Sequence, residues 1–314
     1  MPTLAQQIKD EAQRLGFTLC GISAAAQLER EARHLEEWLR RGNHGTMHWM
    51  ENHFEKRTDP RKLVEGAKSV VSVIHNYHPK AEWHQPAGAP KISTYAWGED
   101  YHHVLKHKLH RLLDFIVAQA GEVNARVFTD SAPVMDKVWA ARSGLGWIGK
   151  HTNLIMPQKG SWYFIGEIIV DLELTPDESP AMDFCGTCTR CIDACPTEAL
   201  EPYQIDARKC ISYLTIELRD KTPVAFHDKL NGWAYGCDIC QQVCPWNSFA
   251  EAATGEEFAP LSHLLSYERQ DWEMLDERQW KRLTRHSAMN RVKWEKMKEN
   301  LANVAPTQDP GTEP

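Results

Sequence analysis

Cys185-Gly186-Thr187-Cys188-Thr189-Arg190-Cys191-Ile192-Asp193-Ala194-Cys195-Pro196 follows the spacing C-x2-C-x2-C-x3-C-P without a departure. Three thiolates so spaced wrap three corners of a 4Fe-4S cubane, and the fourth, stopped by proline, reaches across to a second one. The run therefore demands a partner. Cys237-Asp238-Ile239-Cys240-Gln241-Gln242-Val243-Cys244-Pro245 supplies most of it. Aligned from its Cys-Pro end, this echo has cysteine at its second, third and fourth ligand positions, while the first falls on Ala234. Cys210 is the other cysteine nearby and takes the vacancy. The expected ligand sets are Cys185, Cys188, Cys191 and Cys244 for one 4Fe-4S cluster and Cys195, Cys210, Cys237 and Cys240 for the other, eight of the nine cysteines. Zinc ribbons and disulfides are the competing readings. Structural zinc takes paired C-x2-C knuckles, and neither competitor accounts for a third cysteine followed by x3-Cys-Pro.

At 314 residues and 42% hydrophobic content the chain has material for a large core and more than one domain. It shows no signal-peptide run, no twin-arginine opening and no apolar stretch of the ~20 residues that a membrane span needs, so no membrane partner and a cytoplasmic place are expected. Reducing conditions there suit cysteines used as metal ligands. A net charge of -7 argues mildly against a nucleic-acid partner but leaves room for a local basic face.

Before the cysteines, strands and helices alternate. Thr3 caps a helix to Leu15, Phe17 to Ile22 reads as a short strand, and a second helix runs from Leu28 to Arg40. Cys20 is a small buried side chain in that strand. Phe54 to Lys62 reads as a charged loop and Ser69 to Ile74 as a buried strand. A long helix ends at about Ala120 and carries His103, His107 and His110 on one face. With no H-E-x-x-H pattern and the apolar stripe elsewhere, these read as solvated histidines rather than zinc ligands. Ala125 to Thr129 and Phe164 to Leu172 are further strands, and the alternation suggests an α/β layer.

The first of those two strands ends on Asp130-Ser131-Ala132-Pro133. In an α/β sheet the carboxyl ends of strands face the ligand crevice, which would place Asp130 for chemistry; the plainer reading is an Asp that opens a turn. Gly144-Leu145-Gly146-Trp147-Ile148-Gly149-Lys150 matches G-x-G-x-x-G, yet a helix precedes it and a strand follows, the reverse of a dinucleotide fingerprint. These glycines are expected to end the helix and to let backbone approach a large flat ligand. Thr175 to Pro180 reads as a linker. Beyond Pro245 the chain turns helical, and Arg278 to Lys298 gathers eight basic residues against Glu295, with Trp280 and Trp294 interleaved. This patch is either a solvated face or a grip on phosphates, and tryptophans at helical spacing are core before they are base-stacking platforms.

Arg57, Gly98-x-Asp100-Tyr101-His102, Asp130-Ser131-Ala132-Pro133, Ser143-Gly144-x-Gly146-Trp147-x-Gly149-Lys150, both cysteine motifs and the basic C-terminal helices together resemble the epoxyqueuosine reductase family. The likeness is colinear over nearly the whole chain. It lacks the helical-repeat extension of longer members, since Pro306 to Pro314 reads as a tail. The resemblance implies an α/β cobalamin-binding domain at 1–175, a ferredoxin-like (α+β) domain with two 4Fe-4S clusters at 176–250, and C-terminal helices at 251–314. It implies a substrate, tRNA bearing epoxyqueuosine, whose epoxide undergoes two-electron deoxygenation to the alkene of queuosine. It further implies an external low-potential electron donor of flavodoxin or ferredoxin type. No D-x-H-x-x-G signature is present, so no histidine is expected on cobalt. By the resemblance Arg57 and Lys150 contact the corrinoid, as do Trp97, Asn153, Ser212 and Asp238. Asp130 is the proton donor, with a pKa raised by burial, and Lys281, Arg282 and Arg285 meet the tRNA. A corrinoid reductive dehalogenase acting on a small molecule and a plain iron-sulfur electron-transfer subunit are the rival readings; a 170-residue half before the clusters is more than a relay needs.

Overall fold

The computed structural model describes residues 2–179 and 183–304. The expected tail Pro306–Pro314 and the last linker residue, Pro180, lie outside them. Four strands form the main sheet: β1 (Leu19–Ala24), β2 (Ser69–Asn76), β3 (Ala125–Phe128) and β4 (Tyr163–Val170), in spatial order β1-β2-β4-β3. Every pairing is antiparallel, with Ile22 opposite Val71, Val71 opposite Ile168 and Phe128 opposite Glu167. The expected alternation of strands and helices is present. The crevice argument used for Asp130 belongs to parallel sheets, however, and does not apply here.

Helices cover both faces of this sheet, so β2 is buried on both sides and reads as a nearly continuous β-branched run. On one face Ile8 and Ala12 of the Leu4–Arg14 helix and Leu105, Leu109, Leu112 and Ile116 of the Tyr101–Ala120 helix meet Ile22, Val71, Val73, Ile168 and Val170. On the other, Val138 and Trp139 of the Asp136–Arg142 helix and Leu28 meet Val70, Phe128 and Ile169. His103, His107 and His110 are exposed. The 54–62 stretch is a short helix, Phe54–Thr58, followed by a 3-10 turn at Pro60–Lys62, and it buries Arg57 instead of holding it in a loop.

Gly144 ends the Asp136–Arg142 helix in the left-handed region at φ 77°. A side chain at Gly144 would meet Glu178 O at 2.8 Å, and one at Gly146 would meet Ile155 O at 2.2 Å. What Gly144 and Gly146 admit is the close approach of the protein's own backbone.

In the cysteine-bearing part, two short helices, Arg190–Asp193 and Ile239–Gln242, carry Cys191 and Cys240 and are closed by Cys195-Pro196 and Cys244-Pro245. A hairpin, Leu200–Glu201 with Gln204–Ile205, sits between them in sequence. One hydrophobic core then joins three stretches of chain: Ile92 and Trp97, then Ile211, Leu214, Trp233 and Tyr235, then Trp272, Trp280, Met289 and Met297. Among the described residues no helix is long and apolar enough to cross a membrane.

Candidate active site

Asp130 is held by the turn that follows β3. Its backbone takes the left-handed conformation, φ 52°, which aspartate tolerates better than most residues. Buried Thr129 pins the turn through its hydroxyl to Ile165 O at 2.9 Å, and the Asp130 N–H donates to Asp136 Oδ1 at 3.3 Å. The carboxylate then points at the start of the Tyr101–Ala120 helix. Tyr101 Oη donates to Asp130 Oδ2 at 2.5 Å, and His102 Nε2 lies 3.4 Å from the same oxygen. Asp100 caps that helix by accepting from the His102 N–H at 3.0 Å, and its Oδ1 meets His102 Nδ1 at 2.7 Å. The Asp100-Tyr101-His102 triplet thus reads as one device: a cap, a phenol and an imidazole, all directed at Asp130.

Burial works against charge on His102, but the hydrogen bonds and fields of Asp100 and Asp130 outweigh it and push its pKa up to about 9. Burial raises the Asp130 pKa, yet hydrogen bonds from His102 and Tyr101 prevail and hold it below the ordinary carboxylate range. This corrects the expectation that burial raises it. In this structure the proton at neutral pH belongs to His102, and Asp130 is ionised.

Asp130 is 63% exposed along its side chain although protein surrounds it closely, so it lines a recess that solvent enters. Lys137 lies in the same recess, donating to Thr152 O at 2.9 Å and approaching Asn153 Oδ1 at 3.4 Å. Desolvation lowers its pKa, and it feels the charges of Asp130, Asp136, Cys240 and Cys210. Lys137 therefore lies within reach of the charge of both Asp130 and Cys210 and Cys240, and sequence reasoning missed it. Its signal was a lysine in the first turn of the short helix directly after the Asp130 loop. Arg57 is buried beside Asp136, with Nε lacking a hydrogen-bond partner among the described residues.

The remaining expected corrinoid contacts are spread more widely. Asn153 joins the recess through Lys137. Ser212, two residues after Cys210, is half-buried. Lys150 donates to Gly186 O at 2.6 Å and Cys188 O at 3.0 Å, and so braces the first cysteine loop. Trp97 is buried, its indole N–H donating to Ile92 O at 2.8 Å. Asp238 is buried too, accepting from Ser93 Oγ, and from Thr94 N and Oγ1 at 2.8 Å each. The side chains of Lys150, Trp97 and Asp238 are thus spent within the protein.

Cys191 feels the charges of Cys244, Cys185 and Cys188, and Cys237 and Cys240 both feel Cys210; Cys240 feels Cys191 and Cys195 as well, so the two motifs lie close together. A cavity of about 260 Å³ is lined by Cys185, Cys188, Cys191 and Cys244 together with Lys150, Phe184 and Trp246. Among the described residues no three cysteine sulfurs lie within 4.8 Å of one another. Four thiolates at the ~2.3 Å of a zinc-sulfur bond would crowd closer than that. The spacing and the cavity fit a larger group, as a cubane is. A second cavity, about 890 Å³, is bounded by His78, Trp162, Arg190 and Asn247 and touches none of the Asp130 constellation.

Lys281, Arg282 and Arg285 are all exposed on or just after the Glu277–Thr284 helix; Lys281 pairs with Glu277, and neither arginine has an acid partner among the described residues. Trp280 is core, its Nε1 donating to Val292 O at 3.0 Å, and Trp294 is half-buried against it. Arg291 pairs with Glu217 at 2.6 Å and adds its field to Asp130, so the basic segment borders the recess.

A carboxylate-centred recess near Cys210 and Cys240, in a chain with two ferredoxin-type cysteine motifs, fits an iron-sulfur oxidoreductase. A family model described as "Epoxyqueuosine reductase QueG, DUF1730" matches residues 57–131, and one described as "4Fe-4S double cluster binding domain" matches residues 184–247. The epoxyqueuosine reductase of Leadbetterella byssophila is 54% identical over 97% of this chain and 99% of its own. The structure of epoxyqueuosine reductase from Bacillus subtilis, with its catalytic aspartate loop swung out of the active site, aligns at TM-score 0.88 and 28% identity over 96% of this chain and 80% of that one. An epoxyqueuosine reductase crystallised with an epoxyqueuosine-modified tRNA stem loop aligns at TM-score 0.86 and 28% identity, again over 96% and 80%. The chain belongs to the epoxyqueuosine reductase family.

Proposed function

We propose that this chain carries out, in the cytoplasm, the two-electron deoxygenation of epoxyqueuosine at the wobble position of tRNA to queuosine, with Asp130 delivering a proton to the epoxide oxygen. The observation that carries the reading is the convergence of Tyr101 and His102 on Asp130 in a recess next to Cys210 and Cys240. Opening an epoxide places negative charge on oxygen, and a positioned acid lowers that barrier. His102 holds the proton at neutral pH and passes it to the ionised Asp130, which hands that same proton to the epoxide oxygen. Tyr101 fixes the carboxylate, and Asp100 fixes the imidazole.

Cys185, Cys188, Cys191 and Cys244 would ligate one 4Fe-4S cluster, and Cys195, Cys210, Cys237 and Cys240 the other. A cobalamin would lie in the recess, near Lys137, Asn153 and Ser212, where the unpartnered Nε of Arg57, beside Asp136, would be met by one of its polar groups. When bound, these groups supply electrons, taken singly from a flavodoxin- or ferredoxin-type donor, beside the substrate. Residues 1–175 would serve as the cobalamin-binding catalytic domain, 176–250 as the cluster domain and 251–314 as the tRNA-facing segment, through Lys281, Arg282 and Arg285.

Protein purified without oxygen should show corrinoid and iron-sulfur absorption together; iron-sulfur absorption alone would leave a plain relay. Asp130→Asn should keep both absorptions and lose turnover by the ~10²- to 10⁴-fold typical of lost acid-base help. Near-normal turnover would remove Asp130 from the mechanism.

A further inference from the structure

The turns that follow the Glu29–Arg40 helix gather two imidazoles and a carboxylate that the Asp130 recess does not use. His44, His48 and Glu51 have the spacing H-x3-H-x2-E. Two successive turns, closed by the Met47 N–H on His44 O at 3.2 Å and the Glu51 N–H on His48 O at 3.1 Å, bring them to one side of the chain. One ligand-type atom from each lies within 4.8 Å of those of the other two. Glu51 Oε1 is 2.6 Å from His44 Nε2 and 3.5 Å from His48 Nδ1. His44 is buried beside Trp38, whereas His48 and Glu51 are exposed, so the group has a protein wall on one side and solvent on the other. His44 Nδ1 has no partner among the described residues. Nothing bonded to it fixes the tautomer, and Nε2 can present either a proton to Glu51 or a lone pair to a cation.

The backbone of these turns is held from behind by the segment that carries Cys210. Asn43 O accepts the Ala207 N–H at 2.9 Å, Tyr213 Oη accepts the Thr46 N–H at 2.8 Å, and the same phenol leaves no room for a side chain at Gly45. Two imidazoles with one carboxylate are a donor set for a borderline divalent ion, since magnesium and calcium take oxygen ligands. Around a tetrahedral zinc, with donors at ~2.0–2.1 Å, neighbouring donor atoms stand about 3.4 Å apart. The separation of His48 from Glu51 already matches that. The shorter one, from His44 to Glu51, is a hydrogen bond that the exposed Glu51 side chain exchanges for a metal bond by moving about 0.8 Å. We propose that His44, His48 and Glu51 bind one zinc ion, with water from the open side as the fourth ligand. The turns also carry Trp49, whose carbonyl accepts from Arg57 Nη2 at 3.4 Å, so the ion braces the chain where it meets Arg57.

Full-length protein without a histidine tag and with both clusters loaded, dialysed against zinc chloride, separates this site from the cysteines. The parent should retain one zinc per chain beside its full iron content. X-ray absorption at the zinc edge should show nitrogen and oxygen neighbours at ~2.0–2.1 Å and no sulfur. His48→Ala and Glu51→Gln should each weaken zinc binding by about tenfold or more, with iron content equal to the parent's. Both side chains are exposed, so neither change disturbs the core. The proposal is overturned if the cluster-loaded parent retains no zinc, if sulfur neighbours at ~2.3 Å place the ion on cysteines, or if both variants bind zinc as tightly as the parent.

Discussion

At His102 burial and hydrogen bonding pull in opposite directions, and the two aspartates win. Because the folded pKa, about 9, lies above the ordinary 6.5, the attraction between imidazolium and carboxylates is fully present below about 6.5 and disappears as pH rises through about 9. Turnover should therefore hold across neutral pH and fall as pH passes about 9. In His102→Gln that alkaline limb should disappear along with most of the activity. A parent profile that rises through pH 9 would show that His102 is not the store. The sequence motif brought Asp130, Tyr101 and His102 into view, but not the direction of the Asp130 shift, which depends on how close the imidazole and phenol come once the turn closes. Lys137 was hidden for a related reason: it looks like an ordinary charged residue until the fold places it against Thr152 and Asn153.

Among the elements, the cysteine motifs were the most legible because ligand spacing is local: two residues between thiolates fixes which face they share. Cys210 had no motif of its own, and the structure sets it beside Cys237, Cys240 and Cys195. Cys210→Ala should damage the cluster assigned to Cys195, Cys210, Cys237 and Cys240 and spare the other. Unchanged iron content and unchanged paramagnetic signals from both clusters would refute the assignment. The main sheet was legible as strands but not as a pattern of pairing, since helices between strands permit either parallel or antiparallel neighbours. Trp280, interleaved with basic residues, is fully packed against Trp294 and hydrogen-bonded to Val292 O. Trp280→Ala should cost about 3–5 kcal/mol in unfolding experiments. Stability equal to the parent with selective loss of tRNA binding would instead mark it as a stacking platform.

For the whole molecule, an acidic chain, net charge -7, is asked to hold a polyanion. The proposed means is local: three exposed basic side chains on a segment whose Arg291 borders the recess. Changing Lys281, Arg282 and Arg285 together to Ala should weaken tRNA binding and flatten the slope of log affinity against log salt by roughly 0.7 to 0.9 for each phosphate no longer neutralised. Iron content should be unaffected. The parent's affinity and slope in the triple variant would make the patch a solvated face. One core joins Cys210 and Cys237 to the basic segment, and Arg291 of that segment borders the recess, so the reductase reading is a claim about a single chemical outcome. It is tested most directly by incubating the anaerobically reduced parent, with corrinoid and both clusters loaded, with tRNA bearing epoxyqueuosine, and then identifying the nucleosides. Conversion of epoxyqueuosine to queuosine is the predicted result, and epoxyqueuosine recovered unchanged from loaded, reduced protein would contradict it.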